Sequence, residues 1–592
     1  MKKYIYTLVL LSVAAIINAV PAYRGWQTRT QADGTTIEVQ QAGDEYYHYM
    51  VNRAGQQVRL NKNGMYEVVG EAPSPAKVQA LRAEGKAKRV RKGVGLTPNP
   101  APRGVVILAN FADTQMKAAH TQSVFDELCN ATNCTVNAGY PSAAQYFADQ
   151  SNGAYRPQFD VFGPVTLSHG YAFYGENDGE DEDGDGYGDG NDKYAADAAI
   201  EACILAKAAY PELNFANYDS DGDDLVDFVY VIYAGEGEAS GGHPNTIWPH
   251  NWNLIYQVFP FDEKGQYDPV NGTRFSCCFT EDDIVIDDKM LSNYAISAEL
   301  MWDELGGIGT LCHEFGHVIG LPDFYDTNYG VNSKLRLTPN EWNIMDGGSY
   351  NGGGHCPPNY DPWEKYFFGW VTPENLGEEP QFLTLVANGQ DGYNPYQINA
   401  SGNQEESTTE GLNYYIENRQ QQGWDEFVPS SGMVIWKVDF DSYAWQTNSP
   451  NNTANEPKYT LIIPDGTRIG AAGGDANVWP YGELDSCEFV IGKPLLSITR
   501  NGSLIDLLYI AELTAFTVRW MVDGVVVASG EYNLDGSDDL VVPTNVTACE
   551  GTEFIGWTKK SGWCDPIGEP DDLTLTPSGK VTKSATYHAL FK

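Results

Sequence analysis

The run His313-Glu314-Phe315-Gly316-His317-Val318-Ile319-Gly320-Leu321-Pro322-Asp323 holds residue types that bind a metal and move a proton. Two histidines four apart lie on one face of a helix, one turn above the other, so both imidazoles reach a single ion. Zn²⁺ accepts three protein ligands and keeps a fourth position open, as a hydrolytic zinc requires. Glu314, beside the first histidine, stands where a general base meets the attacking water. H-E-x-x-H also recurs by chance, so the flanks decide.

A helix must present these side chains. From about residue 305 to 319, Ile308, Leu311, Cys312, Phe315 and Ile319 recur at three- and four-residue intervals, the period of an amphipathic helix. His313 and His317 fall on the flank of that stripe, at the edge of a cleft. Gly320 suits the left-handed position at a helix end, and Pro322 forbids continuation. The chain must turn there, which can bring Asp323 back to the metal as third ligand. Asp326 and Glu364 are rivals for that role. The spacing matches the extended metzincin signature with Asp in place of the last His, and a carboxylate is an acceptable zinc ligand. Met345, in Asn343-Ile344-Met345-Asp346-Gly347-Gly348, sits where a methionine turn would lie beneath the metal. Tyr350 is a candidate hydrogen-bond donor to a developing oxyanion, or an ordinary packed tyrosine.

The segments HEFGHVIGLPDFYD and NIMDGGSYNGGGHCPPNYDPWEKYFFGW resemble the immune inhibitor A family of secreted zinc metalloproteases. SAAQYFADQSNGAYRPQFDVFGPV, YDSDGDDLVDFVYVIYAGEGE and YYIENRQQQGWDEFVPSSGMVIWKVD extend the resemblance over most of residues 100–440. It implies an endopeptidase acting on proteins or peptides, with signal and propeptide. His313 and His317 would bind zinc, and Glu314 would be the catalytic acid/base. Lys437 departs from the histidine expected in that last segment, outside the metal motif.

A chain of 592 residues exceeds one ordinary core. The expected class is multidomain, with an α/β metzincin-like catalytic domain, a β-sandwich-like domain and a small β-rich module. Met1-Lys2-Lys3, an apolar run and small residues near Ala19 read as a signal peptide over 1–19. A β-rich propeptide follows over 20–97, then a catalytic domain over 98–374. Residues 375–512 read as a β-sandwich-like domain. The tail, 513–592, resembles the Listeria–Bacteroides repeat, chiefly in GTEFIGWT, and implies cell-surface or extracellular-matrix contact. The basic run from Lys86 to Lys92 is an exposed-linker candidate for activating cleavage.

No later apolar stretch is long enough to span a membrane, so export is expected. A net charge of −43 argues against nucleic acid, whose binding needs Lys and Arg against phosphates. Ten cysteines fit an oxidising compartment. Cys129 with Cys134, and Cys549 with Cys564, are the pairs to test first. No two cysteines have C-x-x-C spacing, so no cysteine-based zinc site is expected.

Two acidic loops invite calcium. Asp181, Asp183, Asp185 and Asp192 follow an EF-hand loop with Gly186 at its sharp turn, although position 12 is Asp rather than Glu. Asp219, Asp221, Asp223 and Asp227 repeat the D-x-D-x-D core. Such carboxylate density is costly unless a hard cation offsets it; the plainer alternative is a solvated acidic loop. His250 reads as a buried structural histidine, or as a cleft residue. The competing function is adhesion to a surface, protein or glycan on an inactive protease scaffold.

Overall fold

The computed structural model describes residues 18–19, 25–31, 33–44, 47–60, 65–74, 77, 103–178, 191–220, 222–260, 271–328, 330–377, 379–400, 409, 411–464, 468–482, 484–487, 493–510, 516–522, 525–533, 537–544, 546, 553–558, 577–581 and 585–591. Asp181, Asp183, Asp185, Asp221, the basic linker, Cys549 and Cys564 lie outside them.

Among the described residues the central sheet has seven strands, of which the five longer are β1 (Arg103–Asn110), β2 (Gln158–Thr166), β3 (Val229–Glu236), β4 (His250–Asn253) and β5 (Asn293–Met301). Their order is β4-β5-β3-β1-β2, parallel except for β4, which runs antiparallel to β5. Continuous apolar runs such as VVILA suit strands covered on both faces. Side chains alternate between two cores. Val105, Ile107, Val229 and Val231 face the alanine-rich helix α3 (Ala195–Ala209). Val106, Leu108, Tyr230 and Ile232 face α1 (Gln122–Asn130), α2 (Ala143–Gln150) and α4 (Gly309–Val318).

The metal-motif helix starts later than its apolar period suggests. Glu304 and Leu305 instead pair with the end of β5 as a short strand. Gly307 and Gly309 then bring the backbone against the Gly354 and Ser349 carbonyls, an approach that any side chain at those positions would block. Helical spacing cannot reveal that contact.

Beyond residue 374 a five-stranded sheet contains β6 (Gly411–Arg419) and β7 (Gly432–Phe440), and a three-stranded sheet packs on one of its faces. Leu383, Leu385, Ile416, Ile435, Ile505 and Leu507 fill the space between them. The opposite face of β6 and β7 carries Tyr415, Val434, Trp436 and Val438 into the core that holds Phe315 and Met345. One continuous core therefore crosses residue 374.

An antiparallel five-stranded sheet over Gln27–Glu71 precedes the central sheet. It docks through Arg29, which donates to the Ser240 and Gly241 carbonyls at 3.0 and 2.8 Å. Asn18 and Ala19, at the end of the expected leader, pair with β4 at the edge of the central sheet. A four-stranded sheet lies within 516–591. Among the described residues no helix is long and apolar enough to cross a membrane. Cys129 and Cys134 are not joined: Cys129 is fully buried in the α4-side core, whereas Cys134 lies only half-buried.

Candidate metal centre

Helix α4 ends in a Schellman motif. The Leu321 N–H donates to the Gly316 carbonyl and the Gly320 N–H to the His317 carbonyl, both at 3.0 Å. Gly320 takes φ +114°, a conformation that costs other residues a Cβ clash. The chain reverses there, and Asp323 returns to the histidines.

His313 Nε2 and His317 Nε2 are 3.2 Å apart. Asp323 Oδ1 lies 3.2 Å from the first and 3.4 Å from the second. All three side chains are buried. Each imidazole is oriented from behind: His313 Nδ1 meets the Ile344 carbonyl at 2.7 Å, and His317 Nδ1 meets the Leu321 carbonyl at 2.8 Å. A carbonyl only accepts, so Nδ1 carries the proton and Nε2 turns a lone pair inward. Burial pushes the His317 imidazole down, against the pull of Asp323, and so favours this neutral form. Three electron pairs thus converge with no hydrogen-bond donor for Asp323 Oδ1. Tetrahedral zinc with bonds of about 2.0–2.1 Å sets its ligand atoms about 3.3 Å apart. The donor set fits that ion.

Glu314 is fully buried beside His313. Gly316 leaves room for Met345: a Cβ there would meet Met345 Sδ at 2.7 Å. The turn carrying Met345 is pinned by its N–H to Asn343 Oδ1 at 2.6 Å and by its carbonyl to the Phe324 N–H at 2.8 Å.

The rival ligands are employed elsewhere. Asp326 accepts the N–H groups of Asn328 and Ser333. Glu364 forms the capping box of helix α5 (Pro362–Phe367) with Asp361. Tyr350 packs half-buried against Ala239 and Trp248. His250 is buried on β4, with Nδ1 at 2.6 Å from the Trp248 carbonyl and Nε2 at 2.7 Å from the Tyr294 hydroxyl, so both ring nitrogens serve structure.

Of the acidic-loop residues, Asp192 is buried and accepts the Trp248 N–H at 2.9 Å. Asp219 accepts from Lys289 Nζ at 2.6 Å and from the Gly222 N–H at 2.8 Å. Asp223 and Asp227 accept the Leu225 and Ser220 N–H groups. Lys289 thus supplies a positive charge where the sequence suggested an ion. Among the described residues, no three of these carboxylates converge.

Sequence reasoning missed Asn448. Helix α6 (Ser442–Gln446) delivers it from the region beyond β7, with φ +49°. Its Oδ1 accepts the Asp323 N–H, and its Nδ2 donates to Asp323 Oδ2. The only local signal is an asparagine in a turn-rich run, which marks a left-handed backbone rather than a role.

Residues 108–373 match the catalytic domain of the immune inhibitor A peptidase M6 family. Among curated relatives, Immune inhibitor A of Bacillus thuringiensis subsp. alesti is 27% identical over 236 residues, covering 38% of this chain and 31% of that protein. Pre-pro-metalloprotease PrtV of Vibrio cholerae serotype O1 (strain M66-2) is 26% identical over 274 residues, covering 41% of this chain and 26% of that one. The chain spans less than a third of the length of these relatives.

Proposed function

We propose that the chain is an exported zinc metalloendopeptidase. The observation that carries this reading is the convergence of His313 Nε2, His317 Nε2 and Asp323 Oδ1 within 3.4 Å. His313, His317 and Asp323 would hold zinc, which would supply Lewis-acid chemistry toward a scissile carbonyl and its attacking water. Glu314 takes the proton of the attacking water and delivers it to the departing amine nitrogen. The Ile344 and Leu321 carbonyls keep both imidazoles in the ligating tautomer throughout. A metzincin-like fold belongs to the same reading, supported by Met345 beneath Gly316 and by the Schellman turn. So do the leader, the activating cut, and a surface-contacting tail. The catalytic-domain match and Glu314 beside the donor set favour this over adhesion on an inactive scaffold.

The test is Glu314→Gln on chain trimmed at the basic linker. Casein cleavage should fall by roughly 10²–10⁴-fold while bound zinc is unchanged. A variant that kept most of its activity would overturn the assignment.

A further inference from the structure

A second cluster of metal-ligating side chains lies on the α3 side of the central sheet. Asp197 stands in the first turn of α3 and is fully buried. The Cys277–Cys278 loop is tied to it: Ser276 Oγ donates to Asp197 Oδ1 at 2.5 Å, and Gln257 Nε2 donates to Oδ2 at 3.1 Å. The Ser276 and Phe275 N–H groups both donate to the Gln257 carbonyl. Neighbouring side chains in extended backbone point to opposite sides. Here Ser276 Oγ accepts the Cys278 and Phe279 N–H groups at 3.2 and 2.8 Å, and the resulting bend brings both sulfurs to one side.

Donor atoms of Asp197, Cys277 and Cys278 all lie within 4.8 Å of one another. Cys277 Sγ is 4.0 Å from Asp197 Oδ1. Around tetrahedral zinc, bonds of about 2.3 Å to sulfur and 2.0 Å to oxygen place two sulfurs about 3.8 Å apart and sulfur and oxygen about 3.5 Å apart. The observed 4.0 Å between Cys277 Sγ and Asp197 Oδ1 is about half an ångström beyond that spacing. Both cysteines are exposed, which leaves space for side-chain rotation and for a water as fourth ligand.

We propose that Asp197, Cys277 and Cys278 form a second metal site, for a thiophilic divalent cation such as zinc. Two thiolates and one carboxylate suit a borderline ion better than a hard one such as calcium. The site staples the 271–280 loop to α3. Binding displaces one proton from each thiol, and Asp197 already anchors the loop for it.

The experiment uses full chain in the Glu314→Gln background, which prevents self-cleavage, loaded with zinc under reducing conditions and dialysed. Metal analysis should find two equivalents, one for each convergent group, and one equivalent after Cys277→Ser/Cys278→Ser. Cadmium loading should produce thiolate-to-cadmium absorption in the ultraviolet. The His313–His317–Asp323 centre has no sulfur and cannot contribute that band. The single variants Cys277→Ser and Cys278→Ser, each on an exposed part of the loop, should each weaken the band, which assigns it to these two of the chain's ten cysteines. Equal metal content in both chains, no thiolate band, or a mass showing the two sulfurs joined as a disulfide would overturn the proposal.

Discussion

Asn448 clamps Asp323 from both ends: it accepts the Asp323 N–H at 2.7 Å and donates to the Asp323 carboxylate at 2.6 Å. One oxygen of that carboxylate is thereby fixed, and the other faces the histidines. The clamp belongs to a wider seam. Phe324 stacks on Tyr459 at 3.7 Å, and Asn451 donates to the Phe324 carbonyl. The β region beyond residue 374 thus aims Asp323 at the two histidines.

Asn448→Gly removes both contacts while tolerating the left-handed backbone. Zinc affinity, measured by chelator competition, should weaken by about 10- to 100-fold, as expected for loss of a partner that orients a ligand. An unchanged affinity would show that Asp323 needs no external support.

Gly316→Ala places a methyl against Met345 Sδ. Overpacking of this kind costs about 1–3 kcal/mol, read from denaturant midpoints. Met345→Ala should recover part of the loss in the Gly316→Ala chain, since it vacates the contested volume. A double variant with the cost of both changes summed would place the clash elsewhere.

Burial raises the Asp361 and Glu364 carboxyls; the Glu417 charge raises the first further, and the Asp361 charge raises the second. A carboxyl with a raised folded-state pKa contributes stability that is complete below the ordinary range near pH 4 and is lost as pH rises through the folded value. The unfolding midpoint should therefore decline from mildly acid toward alkaline pH. Glu364→Gln keeps an acceptor for the Asp361 N–H and should flatten that decline. An identical slope in the variant would exclude the pair as its source.

Lys289 donates to both Asp219 and Asp224 at 2.6 Å. Lys289→Ala leaves those carboxylates facing one another, so added calcium should raise the variant's Tm more than that of the unaltered chain. Equal shifts in the two chains would remove the loop from any calcium account.

Spacing along the chain was enough to mark His313, His317 and Glu314, because a helix converts intervals of three and four into a shared face whatever surrounds it. The glycine–proline stop was legible for a similar reason: backbone freedom at Gly320 and its absence at Pro322 are properties of single residues. The choice among Asp323, Asp326 and Glu364 was not legible, since all three are acids near one helix and only the fold says which carboxylate is already occupied. Asn448 and Lys289 were hidden more deeply. A hydrogen bond across 125 residues or a charge pair across 70 leaves no periodic trace. Residues 277 and 278 lacked the usual ligand spacing, and only the fold brings a buried aspartate from α3 beside them. Local sequence sets which groups can act on a metal, while tertiary contacts decide which lone pairs are free to do so.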